Sequence, residues 1–178
     1  MVKPDLRLIL KIKSLNHMRD MLVRLYQLKD HSGLIRKLSD QGIEIRRPLA
    51  AEKSVTLEWI LAHFGKGWCS EADVSFSYQP IGCFIAIQNE KVIGFACYDA
   101  CYRNFFGPTG VAEKFRGLGV GKALLFECLQ AMRAQGYAYA IIGGVGPAEF
   151  YVNACGAELI KGSDPGIYKG ILSDIPVD

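Results

Sequence analysis

The 178-residue sequence has no long hydrophobic run and little excess of either charge. No apolar segment approaches the ~18 residues that a membrane-spanning helix needs. The net charge is +3, no basic run is longer than the two residues of Arg46-Arg47, and basic patches with interleaved aromatic residues are missing. Residues 6–12 alternate apolar and basic residues and have no small-residue cleavage site, which argues against a signal peptide. We therefore expect neither a membrane protein nor a nucleic-acid-binding protein.

Cysteine pairs at metal-binding spacing are also missing. The sequence has six cysteines: Cys69, Cys83, Cys97, Cys101, Cys128 and Cys155. None forms a C-x2-C pair, and the three histidines lie far from most of them, so we expect no metal site. Several lie in apolar runs, where a reduced cysteine packs as a small hydrophobe. These features predict a cytoplasmic protein without a disulfide framework.

The sequence does have the composition of one ordinary globular domain, with 50% apolar and 22% charged residues. Its first forty residues are predicted to be helical. Ser14 can cap a helix with apolar residues Leu15, Met18, Leu22 and Leu25 at helical spacing. A second short helix is predicted around residues 34–38. We expect an N-terminal helical extension over residues 1–40 and one further domain over residues 41–178.

Most of the elements predicted after residue 40 are strands. Strands are predicted at residues 42–49, 83–87, 92–102, 105–111, 137–142, 158–161 and 167–171. Helices are predicted at residues 55–64, 122–135 and 147–154, with glycines at positions 65 and 136 ending the first two. Residues 68–80 are aromatic and acidic, and we expect them to form a loop over a site.

The most informative segment is residues 111–123, which read V-A-E-K-F-R-G-L-G-V-G-K-A. Three alternate glycines follow an extended segment and begin a periodic helix. Such a turn leaves backbone N–H groups free to converge on a ligand, and the helix adds the positive end of its dipole. With Lys114, Arg116 and Lys122 beside it, the turn is predicted to bind an anion. A purely structural role, in which the glycines only allow positive φ angles, is the alternative.

Two nucleotide-binding loops do not match this segment. The dinucleotide motif G-x-G-x-x-G is absent, and residues 136–148 contain no acidic residue to hold a ribose. The phosphate loop of nucleotide hydrolases needs Ser or Thr after its lysine, where this chain has Ala123, and a glycine where it has Arg116.

A third pattern fits. Residues 116–121 match Q/R-x-x-G-x-G/A, the pyrophosphate-binding motif of the GNAT N-acetyltransferase superfamily, which the sequence resembles from residue 43 to about residue 171. Phe150-Tyr151 ahead of Gly156 resembles a second family pattern, with Ala157 in place of the usual aromatic residue. The resemblance implies an α+β (α/β) fold with a mixed, mostly antiparallel central sheet of about six to seven strands and helices on both faces.

The resemblance implies acetyl-CoA, or another acyl-CoA, as the co-substrate. The residues that it assigns to the cofactor are Gly110, Val111, Arg116, Gly117, Leu118, Gly119, Val120, Gly121 and Lys122. The turn would hold the pyrophosphate, and the strand before it would run beside the pantetheine arm. Residues 143–147 depart from many family members, which have Asn or Ser there to contact the pantetheine.

The implied reaction is direct attack of a primary amine on the thioester through a tetrahedral intermediate, with CoA thiolate as the leaving group. Tyr151 stands where the family commonly has the acid that protonates the thiolate. An amine with a pKa of ~10.4 must first lose a proton. Glu71, Asp73 and Asp99 are all candidate bases, acting directly or through water.

The acceptor is not identified by the sequence. Five aromatic residues are candidates for an acceptor pocket: Trp68, Phe76, Tyr78, Tyr98 and Tyr102. Such a pocket would suit a small flat amine, whereas an open acidic groove would suit a protein or peptide. A non-catalytic acyl-CoA sensor is the third alternative. The apolar faces of residues 1–40 fit either a cover for the sheet or a homodimer contact.

Overall fold

The computed structural model describes residues 19–172, in which seven strands form one sheet of order β2-β3-β4-β5-β6-β1-β7. The strands are β1 (Met21–Arg24), β2 (Glu44–Arg46), β3 (Cys83–Gln88), β4 (Lys91–Tyr98), β5 (Phe105–Val111), β6 (Tyr139–Ile142) and β7 (Glu158–Leu159). The helices are α1 (Ser32–Ser39), α2 (Lys53–Phe64), α3 (Lys66–Ser75), α4 (Val120–Ala134) and α5 (Ala148–Cys155).

All neighbouring strands are antiparallel except β5 and β6, which are parallel. These two pair only where Phe105 and Phe106 lie opposite Ile141 and Ile142. Beyond Phe106, β5 continues beside β4 while β6 ends at Ile142. The centre of the sheet therefore opens along one edge of β5.

Apolar packing covers both faces of the sheet, as the alternation in β3 shows. Phe84 and Ala86 belong to the core cluster that contains α4, whereas Cys83 and Ile85 belong to the cluster that contains residues of α2 and α3. Successive side chains of a strand point to opposite faces, so one strand supplies both cores. The predicted fold, a mostly antiparallel mixed sheet with helices on both faces, is confirmed.

The helix predicted across residues 14–25 is wrong in its described part. Residues 21–24 form β1, in which Met21 and Val23 are buried and Leu22 and Arg24 are half-buried. This alternation has a period of two, and β1 pairs with both β6 and β7. Ser14, Leu15 and Met18 lie outside the described residues. The domain boundary at residue 40 and the homodimer stay predictions.

Two further local predictions are wrong. Residues 66–75 form α3 instead of a loop, because Gly65, with a φ of 87°, ends α2 and lets a new helix begin at the next residue. The strand predicted at residues 167–171 is instead a short 3-10 turn, Gly166–Tyr168, followed by irregular chain. Among residues 19–172 there is no helix with the length and apolarity needed to cross a membrane.

Candidate active site

The glycine turn joins β5 to α4. Gly117 and Gly119 have φ angles of 81° and 97°, a region that residues with a side chain rarely adopt. Gly121 is the second residue of α4 and does not have a positive φ. The backbone conformation at this position therefore does not require glycine. Gly121 lines the cavity next to the turn, and the absence of a side chain leaves that part of the cavity open.

Helix α4 fixes this turn to the core. Eight of its fifteen residues are buried: Val120, Ala123, Leu124, Leu125, Phe126, Cys128, Leu129 and Met132. Because the turn leads directly into this buried stripe, the directions of its N–H groups are set by the packing of the helix.

The free edge of β5 presents backbone groups to the same cavity. The Ala112 N–H donates to the Ile93 carbonyl at 2.9 Å, and Val111 lies opposite Gly94. Hydrogen-bonded and non-hydrogen-bonded pairs alternate in an antiparallel ladder, so the Val111 N–H and carbonyl point away from β4. Arg116 Nε donates to that carbonyl at 3.2 Å.

A cavity of about 600 Å³ follows this edge. It brings together six of the predicted site residues: Glu71, Gly110, Val111, Arg116, Gly121 and Tyr151. Gly117, Leu118, Gly119 and Val120 complete the turn beside it. Lys122 instead lines a neighbouring cavity of about 660 Å³, together with Lys29 and His31.

Phe64 forms one wall of the cavity at Gly110. A Cβ on Gly110 would overlap the Phe64 ring, so only glycine allows this close approach. Phe64 in turn stacks on Trp68, with ring centroids 5.2 Å apart. Of the five aromatic residues predicted for the acceptor pocket, Trp68 alone lines this cavity. Tyr98 is a core residue whose hydroxyl contacts Arg47 and Gln135, each at 3.0 Å.

Tyr151 lies on α5 and is only 7% exposed. Its ring packs edge-on against Phe150 and Phe106, with centroid distances of 4.9 and 6.3 Å. Burial raises the pKa of its hydroxyl to about 12. At neutral pH the side chain is therefore a neutral proton donor.

The three candidate bases have different surroundings. Glu71 lines the cavity, and burial raises the pKa of its carboxyl above the usual value. Asp73 forms an ion pair with Lys53 at 2.7 Å. Asp99 is 5% exposed and does not line the cavity. Its carboxylate accepts hydrogen bonds from the Asn104 N–H at 2.7 Å and the Tyr137 hydroxyl at 2.9 Å. These bonds indicate a structural role for Asp99.

Sequence reasoning missed Tyr168, which lines the cavity, and Asp20, which binds a loop of the cavity wall. Tyr168 comes from the C-terminal turn, and burial raises the pKa of its hydroxyl, with a further contribution from Cys101, Glu71 and Asp20. Asp20, just before β1, accepts a hydrogen bond from the Gly144 N–H at 3.0 Å and so holds the loop after β6. Both lie in segments whose secondary structure was predicted wrongly, and neither belongs to a motif.

Gly143 lies in the loop after β6, where many family members have Asn or Ser. A Cβ there would lie 2.5 Å from the Tyr168 hydroxyl and 2.8 Å from the Phe105 ring. The glycine thus makes room for Tyr168 in the cavity.

Solved structures share this fold at low sequence identity. One is the GCN5-related glucosamine N-acetyltransferase region of a fungal multi-domain GH3 β-N-acetylglucosaminidase, with a TM-score of 0.66 and 15% identity over 89% of this chain. Another is a GCN5-related N-acetyltransferase from Sphaerobacter thermophilus, with a TM-score of 0.54 and 16% identity over 89% of this chain. The chain spans 22% of the first structure and 55% of the second.

No curated protein sequence matches the chain. The model of the Acetyltransferase (GNAT) family matches residues 53–156, which is more than half of the chain and includes the glycine turn and Tyr151. The chain therefore belongs to the GNAT acetyltransferase family.

Proposed function

We propose that the protein is an N-acetyltransferase that moves an acetyl group from acetyl-CoA to a primary amine of a small molecule. The observation that carries this proposal is the cavity along β5. It has a glycine turn at one end, free backbone groups along its length, and a buried, protonated tyrosine in its wall.

The residues at the cavity fit an acyl-CoA. The amides of the glycine turn and the start of α4 suit a pyrophosphate, because a helix N-terminus offers unpaired N–H groups and a positive dipole. The edge of β5 at Gly110 and Val111 suits the amide-containing pantetheine arm, which would add to the sheet as a strand does. Lys122 and Lys29 face the neighbouring cavity, where they would meet further phosphate charge.

Three groups then have chemical roles. The Val111 N–H, which points away from β4, would donate to the oxyanion of the tetrahedral intermediate. Tyr151 would give its proton to the departing thiolate. Glu71 is the candidate base that lies in the cavity, and we propose that it takes the proton of the acceptor amine, directly or through water.

The size and walls of the cavity favour a small acceptor over a protein or peptide. Trp68 and Tyr168 line the cavity near Glu71, and the whole volume is about 600 Å³. A volume of this order is typical of small-molecule sites.

Two measurements test the proposal. CoA at about 100 times its Kd is expected to raise the melting temperature by about 5–10 °C. A panel of amines and lysine-containing peptides is then screened for release of free thiol from acetyl-CoA, with small amines expected to react. Without a thermal shift, the proposed donor site is refuted. A shift with no thiol release would favour the acyl-CoA sensor, and release by peptides alone would favour a protein acetyltransferase.

A further inference from the structure

The cavity differs in charge from one end of β5 to the other. At the end next to the glycine turn it is lined by Arg116 and by backbone amides. Glu71 lies towards the Phe105 end, because it interacts with Tyr168, which meets Phe105 at Gly143. The seven residues of β5 rise ~3.3 Å each, so the two ends are ~20 Å apart. An anionic donor and a cationic acceptor would therefore find matching charges at opposite ends.

Glu71 has no ion-pair partner within residues 19–172. Burial raises the pKa of its carboxyl, and no Lys, Arg or His side chain in the described part of the chain counteracts this. Asp73, on the same helix, is paired with Lys53 at 2.7 Å. A second carboxyl, that of Asp20, lies near Tyr168, although it does not line the cavity, and it accepts a hydrogen bond from the Gly144 N–H. Among residues 19–172, this end of the cavity therefore has the Glu71 carboxyl and no cationic side chain.

Aromatic rings line the cavity beside this acidic end. Trp68 lies three residues before Glu71 on α3, and Phe105 and Tyr168 meet at Gly143. Their faces suit a flat or apolar body, and they favour an ammonium group in contact with them. A carboxylate or phosphate on the ligand would instead lie beside Glu71, where residues 19–172 supply no basic side chain to pair with it.

We propose that the Glu71 end of the cavity binds acceptor amines that have an aromatic or apolar body and carry no carboxylate or phosphate. The inference rests on the proposed acetyltransferase function and names its substrate class. Glu71 receives the ammonium group, and the rings of Trp68, Phe105 and Tyr168 contact the body. Amines formed by decarboxylation of aromatic or aliphatic amino acids fit this description, whereas the parent amino acids do not.

The test compares three matched pairs: tyramine with tyrosine, phenethylamine with phenylalanine, and cadaverine with lysine. Binding of each to the CoA-saturated protein is measured by calorimetry, and turnover is measured with acetyl-CoA. In at least one of the first two pairs, we expect the amine to bind about 100-fold more tightly than the amino acid. The amino acid binds more weakly because its carboxylate has the same charge as that of Glu71. The third pair, which lacks a ring, is expected to bind more weakly.

A variant links the selectivity to Glu71. Glu71→Gln is expected to weaken binding of the preferred amine at least tenfold and to reduce its advantage over the amino acid. Glu58→Gln, at an exposed position of α2 outside the cavity, is the matched control and should change neither value. Melting temperatures of both variants show whether they are folded.

The outcomes separate this inference from the proposed function. Equal or tighter binding of the amino acids, unchanged selectivity in Glu71→Gln, or failure of all three amines to bind would overturn the inference. In each case, thiol release by other amines in the broad panel would leave the acetyltransferase proposal standing. Absence of release by any amine would refute that proposal itself.

Discussion

Burial keeps the Tyr151 hydroxyl protonated over the whole neutral range. Its pKa of about 12 lies above the ordinary value of 10.0, because ionisation inside the cavity wall would leave a poorly solvated phenolate. The stability that this shift represents is present below about pH 10 and is lost as the pH rises towards 12. We therefore expect no decline in activity from Tyr151 ionisation near neutral pH.

Tyr151→Phe is expected to lower kcat about 100-fold, because it removes the proton donor and keeps the ring that packs on Phe106. The Kd of CoA should change less than threefold. Steady-state kinetics and calorimetry measure the two effects. Tyr102→Phe, at an exposed tyrosine, is the control. A loss of CoA affinity as large as the loss of kcat would show that Tyr151 has a binding role instead.

Gly121 offers a second test at a single residue. Gly121→Ala is expected to weaken CoA binding at least tenfold, because a methyl group would project from the start of α4 where the phosphates would lie. Alanine has the higher helix propensity, so the free energy of unfolding should stay constant or rise by up to about 1 kcal/mol.

Gly67→Ala is the matched control, because Gly67 is the second residue of α3 as Gly121 is of α4, and its Cβ would meet no atom within 4 Å. Calorimetry with CoA and urea unfolding measure both variants. Unchanged CoA affinity in Gly121→Ala would argue that the turn has only a structural role.

Among the secondary-structure elements, β1 lies within the predicted N-terminal extension and is a strand of the central sheet. It pairs with β6 on one side and β7 on the other, and Met21, Val23 and Leu25 are fully buried. Burial of one such side chain contributes about 1.5–3 kcal/mol, so loss of all three approaches the total stability of a typical domain.

A chain consisting of residues 41–178 is therefore expected not to fold cooperatively. Urea unfolding followed by near-ultraviolet circular dichroism, with the full chain as the reference, measures this. An unfolding midpoint equal to that of the full chain would show that the boundary predicted at residue 40 separates two independent units.

For the whole molecule, short sequence patterns predicted those elements whose structure depends on residues close together in the chain. The turn at residues 116–121, helix α4 and strand β5 follow from glycine spacing, an apolar stripe and an extended segment, and these elements form the proposed donor end of the cavity. The identity of β1 depends on pairing with residues more than a hundred positions away, which no short window contains.

The proposed acceptor end of the cavity also depends on contacts that the sequence does not reveal. Glu71, Asp73 and Asp99 are equivalent in the sequence, and only the packed structure shows that Asp73 meets Lys53 and that Asp99 binds Asn104 and Tyr137. Tyr168 enters the cavity because Gly143 leaves space for it, a contact between two loops that are distant in the chain. Its part in the site could not be read from either loop alone.

The attachment of α4 to the core also has a kinetic consequence. Because the helix is fixed by eight buried residues, the order of the adjoining turn is established when the chain folds. Binding of the proposed acyl-CoA donor then does not have to order the glycine turn. The entropic cost of binding arises mainly from ordering the flexible pantetheine arm of the ligand. Donor binding at the turn should resemble docking to a rigid surface, with a rate governed by encounter and not by rearrangement of the protein.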